Sequence, residues 1–236
     1  EAFSFSSLNS SIPTPHCCSC VDMSKQGIRV FCDMDGVVAD FTQGVKDLSG
    51  VILTTSKADH ARYDTMKEEL TEQNLFRDLP QTKMCKALIA TLKELRSQEY
   101  IVGFEMLTAA GRVNRNIVVA DKLQWCKENG LEGVPVTCVF SGKDKGAYVA
   151  PQGLEISILI DDREDNCKLW KEAGGIALLI DDKSTIPPEV LVRKCVEWVY
   201  RTYQNGYNKT LDSEVIDLSS CSEFFIEGDK DVPMYG

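Results

Sequence analysis

Histidine is almost missing from this sequence: 236 residues contain only His16 and His60. That scarcity removes the usual imidazole ligands of transition metals and argues against a zinc-based reaction centre. Long apolar runs are missing too, and nothing approaches the roughly 18 consecutive residues that span a bilayer. Positive charge is in deficit, with 26 Lys and Arg against 36 Asp and Glu and a net charge of -10. A broad basic surface for a nucleic-acid polymer is therefore excluded, and any anion must be gripped locally. No internal repeat is visible, which sets aside solenoids and propellers. The N-terminal segment lacks the charged-then-apolar layout of a secretory signal, so a soluble, cytoplasmic chain without a membrane partner is expected. The sequence begins with Glu1, which leaves open a targeting segment upstream and hence an organelle.

Ten cysteines are present, and most sit singly inside apolar segments, as do Cys32, Cys138, Cys167 and Cys195. This distribution suits buried thiols in a reducing compartment better than a disulfide framework. The run His16-Cys17-Cys18-Ser19-Cys20 has ligand-type side chains but no second cluster at a usable spacing, so no structural zinc is assigned to it. The glycosylation patterns at Asn9 and Asn208 are taken as coincidental.

The order of apolar periodicities predicts an α/β fold. The run Ile28-Arg29-Val30-Phe31 reads as a buried strand ending at an acidic, Gly-containing turn. Further strands are expected over Tyr100 to Leu107, Val134 to Phe140, Ile156 to Ile160 and Gly175 to Ile180. Helices are expected between them, around Arg115 to Asn129 and Asp165 to Ala173, with Gly130 and Gly174 at their ends. Such alternation implies a parallel sheet covered on both faces, whose ligand site lies beyond the carboxyl ends of the strands. The expected organisation is an arm over 1–25, a core over 26–46 and 99–205, a helical insert over 47–98 and an acidic extension over 206–236. The clearest helices of the insert are Ala61 to Leu70 and Lys83 to Leu95, and Pro187 to Tyr203 forms a last amphipathic helix.

The residues after the strands carry the chemistry. Strand one is followed by Asp33-Met34-Asp35-Gly36, strand two by Thr108, strand three by Lys145, and strand four closes on Asp161-Asp162. Four carboxylates around one crevice repel one another unless a cation neutralises them. Magnesium suits an all-oxygen donor set and accepts a further oxygen from a phosphate. A phosphate monoester would have its charge offset by the metal and Lys145, while Thr108 and nearby amides donate to its oxygens. Asp33 is then placed as a nucleophile, and Asp35 as the acid that protonates the leaving alcohol and later activates water. Each residue also has an ordinary reading: Asp161 or Asp162 as a helix cap, Lys145 as a surface side chain, Arg112 as a solvated one. It is the set that points to chemistry.

These four elements, in this order, resemble the four motifs of the haloacid dehalogenase superfamily, over roughly residues 27 to 45 and 100 to 182. The resemblance implies a Rossmann-like core with a small helical cap inserted after the first motif. It also implies Mg2+ held at Asp33, Asp35, Asp161 and Asp162, with the position of Asp35 contributing through its backbone carbonyl. An Asp at that position is associated with phosphatases. The closer likeness is to C-type 5'-nucleotidases and 5'(3')-deoxyribonucleotidases, through DMDGVVADF, SGKDKG and LIDDRED. It implies phosphate contacts from Thr108, Ala109, Lys145 and Arg112, with Lys145 preferred to Lys143. The second motif departs from theirs, with Ala109-Ala110-Gly111 where a Ser-Pro pair stands in that group. A nucleoside monophosphate is the expected substrate and a sugar phosphate or another small ester the alternative; a binding protein without turnover is a third reading. Tyr63 and Phe76 are the candidate platforms for a base, with core packing as their commoner role. Oligomeric state is left unassigned.

Overall fold

The computed structural model describes residues 27–54, 57–151, 155–180 and 186–204. The arm, the cysteine-rich run, both glycosylation patterns and the acidic extension lie outside the described residues. Five strands, β1 (Gly27–Cys32), β2 (Gly103–Ala109), β3 (Val136–Val139), β4 (Glu155–Asp161) and β5 (Ile176–Leu179), form one sheet in the order β3-β2-β1-β4-β5. Every pairing is parallel, as the alternation of strand and helix required.

Side chains alternate between two buried faces. Ile28, Val30 and Cys32 of β1 join Met106, Ile158 and Ile160 in the larger core layer, which also holds Leu88 and Leu92, Val118 and Trp125, and Val192 and Val196. These last three pairs belong to α3 (Cys85–Ser97), α4 (Arg115–Glu128) and α6 (Pro188–Gln204). Phe31 points the other way, with Leu107 and Leu159, against Cys167 and Trp170 of α5 (Glu164–Glu172). Trp170 is packing: it meets Phe31 edge-on at 5.1 Å and its indole N–H donates to the Ser157 carbonyl.

Three helices follow β1 before the chain re-enters the sheet: α1 (Phe41–Ser49), α2 (Lys57–Glu72) and α3. Asp40 caps α1: its Oδ1 accepts from the Gln43 amide at 3.0 Å. Helix α2 is polar on most of its surface and buries Tyr63, Leu70 and Thr71, a spacing that presents one narrow inward stripe. It touches α1 and α4, whereas α3 packs on α6 and β2. Among the described residues no helix is long and apolar enough to cross a membrane.

Element ends differ from expectation where side chains leave the sheet. β2 starts at Gly103 rather than Tyr100, because Tyr100 turns to pack on Tyr200 with ring centroids 4.9 Å apart. The same strand runs on to Ala109, so Thr108 lies inside it rather than after it. β3 stops before Phe140, whose exposed ring lies 4.1 Å from the Arg115 guanidinium.

Candidate active site

The strand order reverses direction at β1. From there the chain builds outward to β2 and β3, then returns to place β4 on the opposite side of β1. Such a switch point opens a crevice at the carboxyl ends of the strands. The register sets Cys32 against Ile160, so the next residues, Asp33 and Asp161, leave the two strands side by side. The Asp33 amide donates to the Ile160 carbonyl at 2.8 Å, fixing that adjacency.

Immediately after β1 the backbone folds over itself. The Met34 carbonyl accepts from the amides of Val38 and Ala39, both at 2.9 Å, and the Gly36 amide donates to Ala39. Gly36 has φ +81°, and a Cβ built there would lie 2.1 Å from Asp162 Oδ2. Glycine is therefore required twice, for the left-handed backbone and for the space Asp162 occupies. Gly36→Ala is expected to cost about 1–3 kcal/mol in urea unfolding from strain alone and to weaken any magnesium-induced stabilisation by displacing Asp162.

Carboxylate oxygens of Asp33, Asp161 and Asp162 come within 4.8 Å of one another. Asp33 and Asp161 are buried, and Asp162 is exposed at the rim. The Lys145 ammonium bridges the buried pair, 2.9 Å from Asp33 Oδ2 and 2.6 Å from Asp161 Oδ2. It comes from a 3₁₀ segment, Gly142–Tyr148, that a capping box starts: Ser141 Oγ accepts from the Lys143 amide, and Asp144 accepts from the Ser141 amide. That turn buries Lys145 to 1% exposure and leaves Lys143 outside. Asp161 is held further by the Arg163 amide at 2.9 Å and by the Asn166 side-chain amide at 3.0 Å.

Charge crowding appears in the titration of these groups. Burial, then Asp33, raises the Asp161 carboxyl above the usual carboxylate range. Asp162, open to solvent on one side, is still deprived of enough water, and close enough to Asp33 and Asp161, to be pushed up to about 7. Burial alone would lower the Lys145 ammonium, but Asp33 and Asp161 together hold it above the ordinary lysine value. An acid raised on folding binds more protons folded than unfolded. Its burden on stability is thus absent at low pH and grows as pH rises from about 4 to 7. Asp162→Asn is therefore expected to stabilise the metal-free protein near pH 8 by about 1 kcal/mol, the full shift being discounted for exposure. Little gain is expected near pH 4, and the same variant should lose stabilisation by added magnesium in thermal melts.

Three carboxylates against one ammonium leave a net charge of two minus when all are ionised. An all-oxygen donor set with that residual charge fits a hard divalent cation such as magnesium. Asp35 is expected to serve a metal through its backbone carbonyl, and its side chain, the fourth carboxylate of the crevice, turns to a partner outside the trio. The Lys122 ammonium lies 2.6 Å from Asp35 Oδ2 and 2.8 Å from Thr108 Oγ1. Burial, only partly offset by Lys122, raises the Asp35 carboxyl above its ordinary value, which favours the protonated form a general acid needs.

The remaining candidates separate. Thr108 is fully buried beside Asp35 through the shared lysine. Ala109 ends β2, and the following amide, from Ala110, donates to the Val139 carbonyl. Arg112 is exposed and has no ion pair or side-chain hydrogen bond among the described residues. Instead Arg115, which the sequence did not single out, ties the second and third strand ends by donating to the Gly111, Cys138 and Val139 carbonyls. Lys122 and Asn166 were missed as well. Both lie inside helices, where only tertiary packing turns them to the crevice.

No protein-family model matches the chain, and no curated protein matches it in sequence. Among solved structures, a haloacid dehalogenase-like family hydrolase from Streptococcus pneumoniae shares 14% identity at a TM-score of 0.44, covering 71% of this chain and 90% of that one. The HAD-hydrolase YfnB from Bacillus subtilis, bound to magnesium, shares 14% at 0.41, covering 70% and 92%. CbbY from Rhodobacter sphaeroides, in complex with xylulose-1,5-bisphosphate, shares 13% at 0.38, covering 65% and 86%. Likenesses of this degree leave function to the chain's own residues.

Proposed function

We propose that this chain is a magnesium-dependent phosphomonoester hydrolase that passes the phosphoryl group first to Asp33 and then to water. The observation that carries the reading is the carboxylate trio at the switch point, bridged by a buried lysine and carrying the residual charge a divalent cation would neutralise. Asp33, Asp161 and Asp162 would hold the ion, with the backbone carbonyl of Asp35 as the further donor implied by the motif. When bound, magnesium shields the charge between carboxylate and phosphate.

Asp33 has one oxygen fixed by the Met34 amide at 2.7 Å and the other on Lys145, so its nucleophilic group is preorganised. Thr108 and the Ala109 amide would supply donors to phosphate oxygens, the Ala110 amide being engaged by the Val139 carbonyl, and Lys145 offsets charge developing there. Asp35 protonates the leaving alcohol in the first half-reaction and removes a proton from water in the second.

The cap bears on substrate choice. Phe41 lies 5.2 Å edge-on from Tyr63 and 6.0 Å stacked on Phe76. Tyr63 and Phe76 are 9% and 5% exposed, so both candidate base platforms are committed to packing. This favours a compact phosphorylated metabolite, such as a sugar phosphate, over the nucleoside monophosphate implied by the likeness of the first, third and fourth motifs to those of nucleotidases. Phosphate release from a panel of both classes, with and without magnesium, separates the readings. Preference for compact esters supports the first, preference for nucleotides restores the second, and absence of magnesium-dependent release from every ester sinks the hydrolase reading.

A further inference from the structure

Lys122 is the sixth charged side chain of the crevice, after four carboxylates and Lys145, and neither the metal trio nor the phosphate contacts account for it. It sits in the third turn of α4 with no exposed surface. Burying an ammonium that completely is costly unless its donors are satisfied. Its partners are Asp35 Oδ2 at 2.6 Å, Thr108 Oγ1 at 2.8 Å and the face of Phe76, 5.0 Å from the ring centroid. Three N–H bonds thus meet an acid–base candidate, a phosphate-binding candidate and a cap residue.

The direction of each bond matters. Lysine only donates, so Thr108 Oγ1 is an acceptor towards Lys122 and its own O–H is left to donate elsewhere. Asp35 likewise has Oδ2 committed to Lys122, while Oδ1 is buried without a hydrogen-bond partner. A buried carboxylate oxygen without a partner is rare and asks for a reason.

On the phosphomonoester hydrolase reading, we propose that Lys122 is a positioning residue: it fixes the Asp35 carboxyl through Oδ2 so that Oδ1 exchanges the proton, and it turns the Thr108 hydroxyl hydrogen towards the phosphoryl group. In the first half-reaction an Asp33 oxygen bonds to phosphorus, the ester P–O bond breaks, and the leaving oxygen takes the proton from Asp35 Oδ1. In the second, a water oxygen bonds to phosphorus, its proton passes to Asp35 Oδ1, and the bond to Asp33 breaks.

Leaving-group dependence tests this, because help from a general acid matters most when the departing oxygen is basic. Lys122→Met is expected to lower kcat on glycerol phosphate by about 100-fold, and on p-nitrophenyl phosphate by less than about 10-fold, with KM changed little for either. The part of the loss due to Thr108 is common to both esters, so the difference between them reports on Asp35. Equal losses on the two esters would overturn the assignment and leave Lys122 as packing. Asp35→Asn and Asp35→Asn/Lys122→Met form a second comparison that does not depend on folding of the single lysine variant. Once Asp35 has no proton to exchange, removing Lys122 should add no further discrimination between the esters, and added discrimination would overturn the proposal. Activity of the wild type on neither ester would overturn the hydrolase reading and this one with it, an outcome distinct from an active wild type with equal losses.

Discussion

Asp33→Asn is expected to reduce phosphate release from any ester the wild type accepts by about 10⁴-fold or more, the scale on which removal of a covalent nucleophile acts. The substitution is nearly isosteric. Its side-chain oxygen still accepts from the Met34 amide, the contact that orients Asp33 at 2.7 Å. What disappears is the oxygen able to bond phosphorus, together with a carboxylate that Lys145 now bridges. The fold should persist, because removing one of three crowded carboxylates relieves repulsion on Asp161 and Asp162, both of which are raised partly by Asp33. Acid quenching of wild-type turnover with phosphorus-labelled substrate should leave label on the peptide containing Asp33, and the variant should trap none. A variant that kept wild-type turnover, or label on another peptide, would require another nucleophile.

The main fold was legible because both sheet faces are buried and each strand is a short apolar run. Ile28 to Phe31 needs no tertiary information to be read as a strand, and the acidic turn after it fixes where the strand ends. The nearness of the strand-end side chains was legible for the same reason: in a parallel sheet the carboxyl ends of the strands lie at one edge, so Asp33, Asp161 and, from the turn beyond β3, Lys145 meet there. The electrostatic partners were not. Lys122 lies on a helix whose inward face also holds Val118, Trp125 and Cys126, and in sequence it is one charged residue among several exposed ones. Its burial depends on the angle at which α4 crosses the sheet, which no local pattern encodes. Asn166 is hidden in the same way, in a first turn where a cap is the default expectation, while the structure shows its amide on Asp161. Arg115 was hidden in the opposite sense: the motif drew attention to Arg112, which is exposed, while α4 begins after the αL residue Asn114 (φ +47°) and its first residue, Arg115, is the arginine that donates to the strand-end carbonyls.

Lys145→Met should show how far stability depends on charge compensation. The ammonium is buried between Asp33 and Asp161, and breaking a buried pair by removing one partner costs about 3–5 kcal/mol. Near pH 8 the variant is therefore expected to unfold at markedly lower urea than the wild type. Asp161 is already raised and Asp162 reaches about 7 with the lysine present, so without it both should hold protons to still higher pH. The folded variant then binds more protons than the unfolded chain across the range from about pH 4 upward, and its stability must rise as pH falls through that range. Unfolding midpoints measured between pH 5 and pH 8 should consequently converge on the wild type at the acid end and diverge at the alkaline end. Magnesium offers a second route to the same compensation: if the carboxylate trio holds the ion, millimolar magnesium should recover part of the loss near pH 8. A deficit constant across pH and indifferent to magnesium would mean that Lys145 contributes through the packing of its aliphatic stem, and that its charge does not offset the three carboxylates.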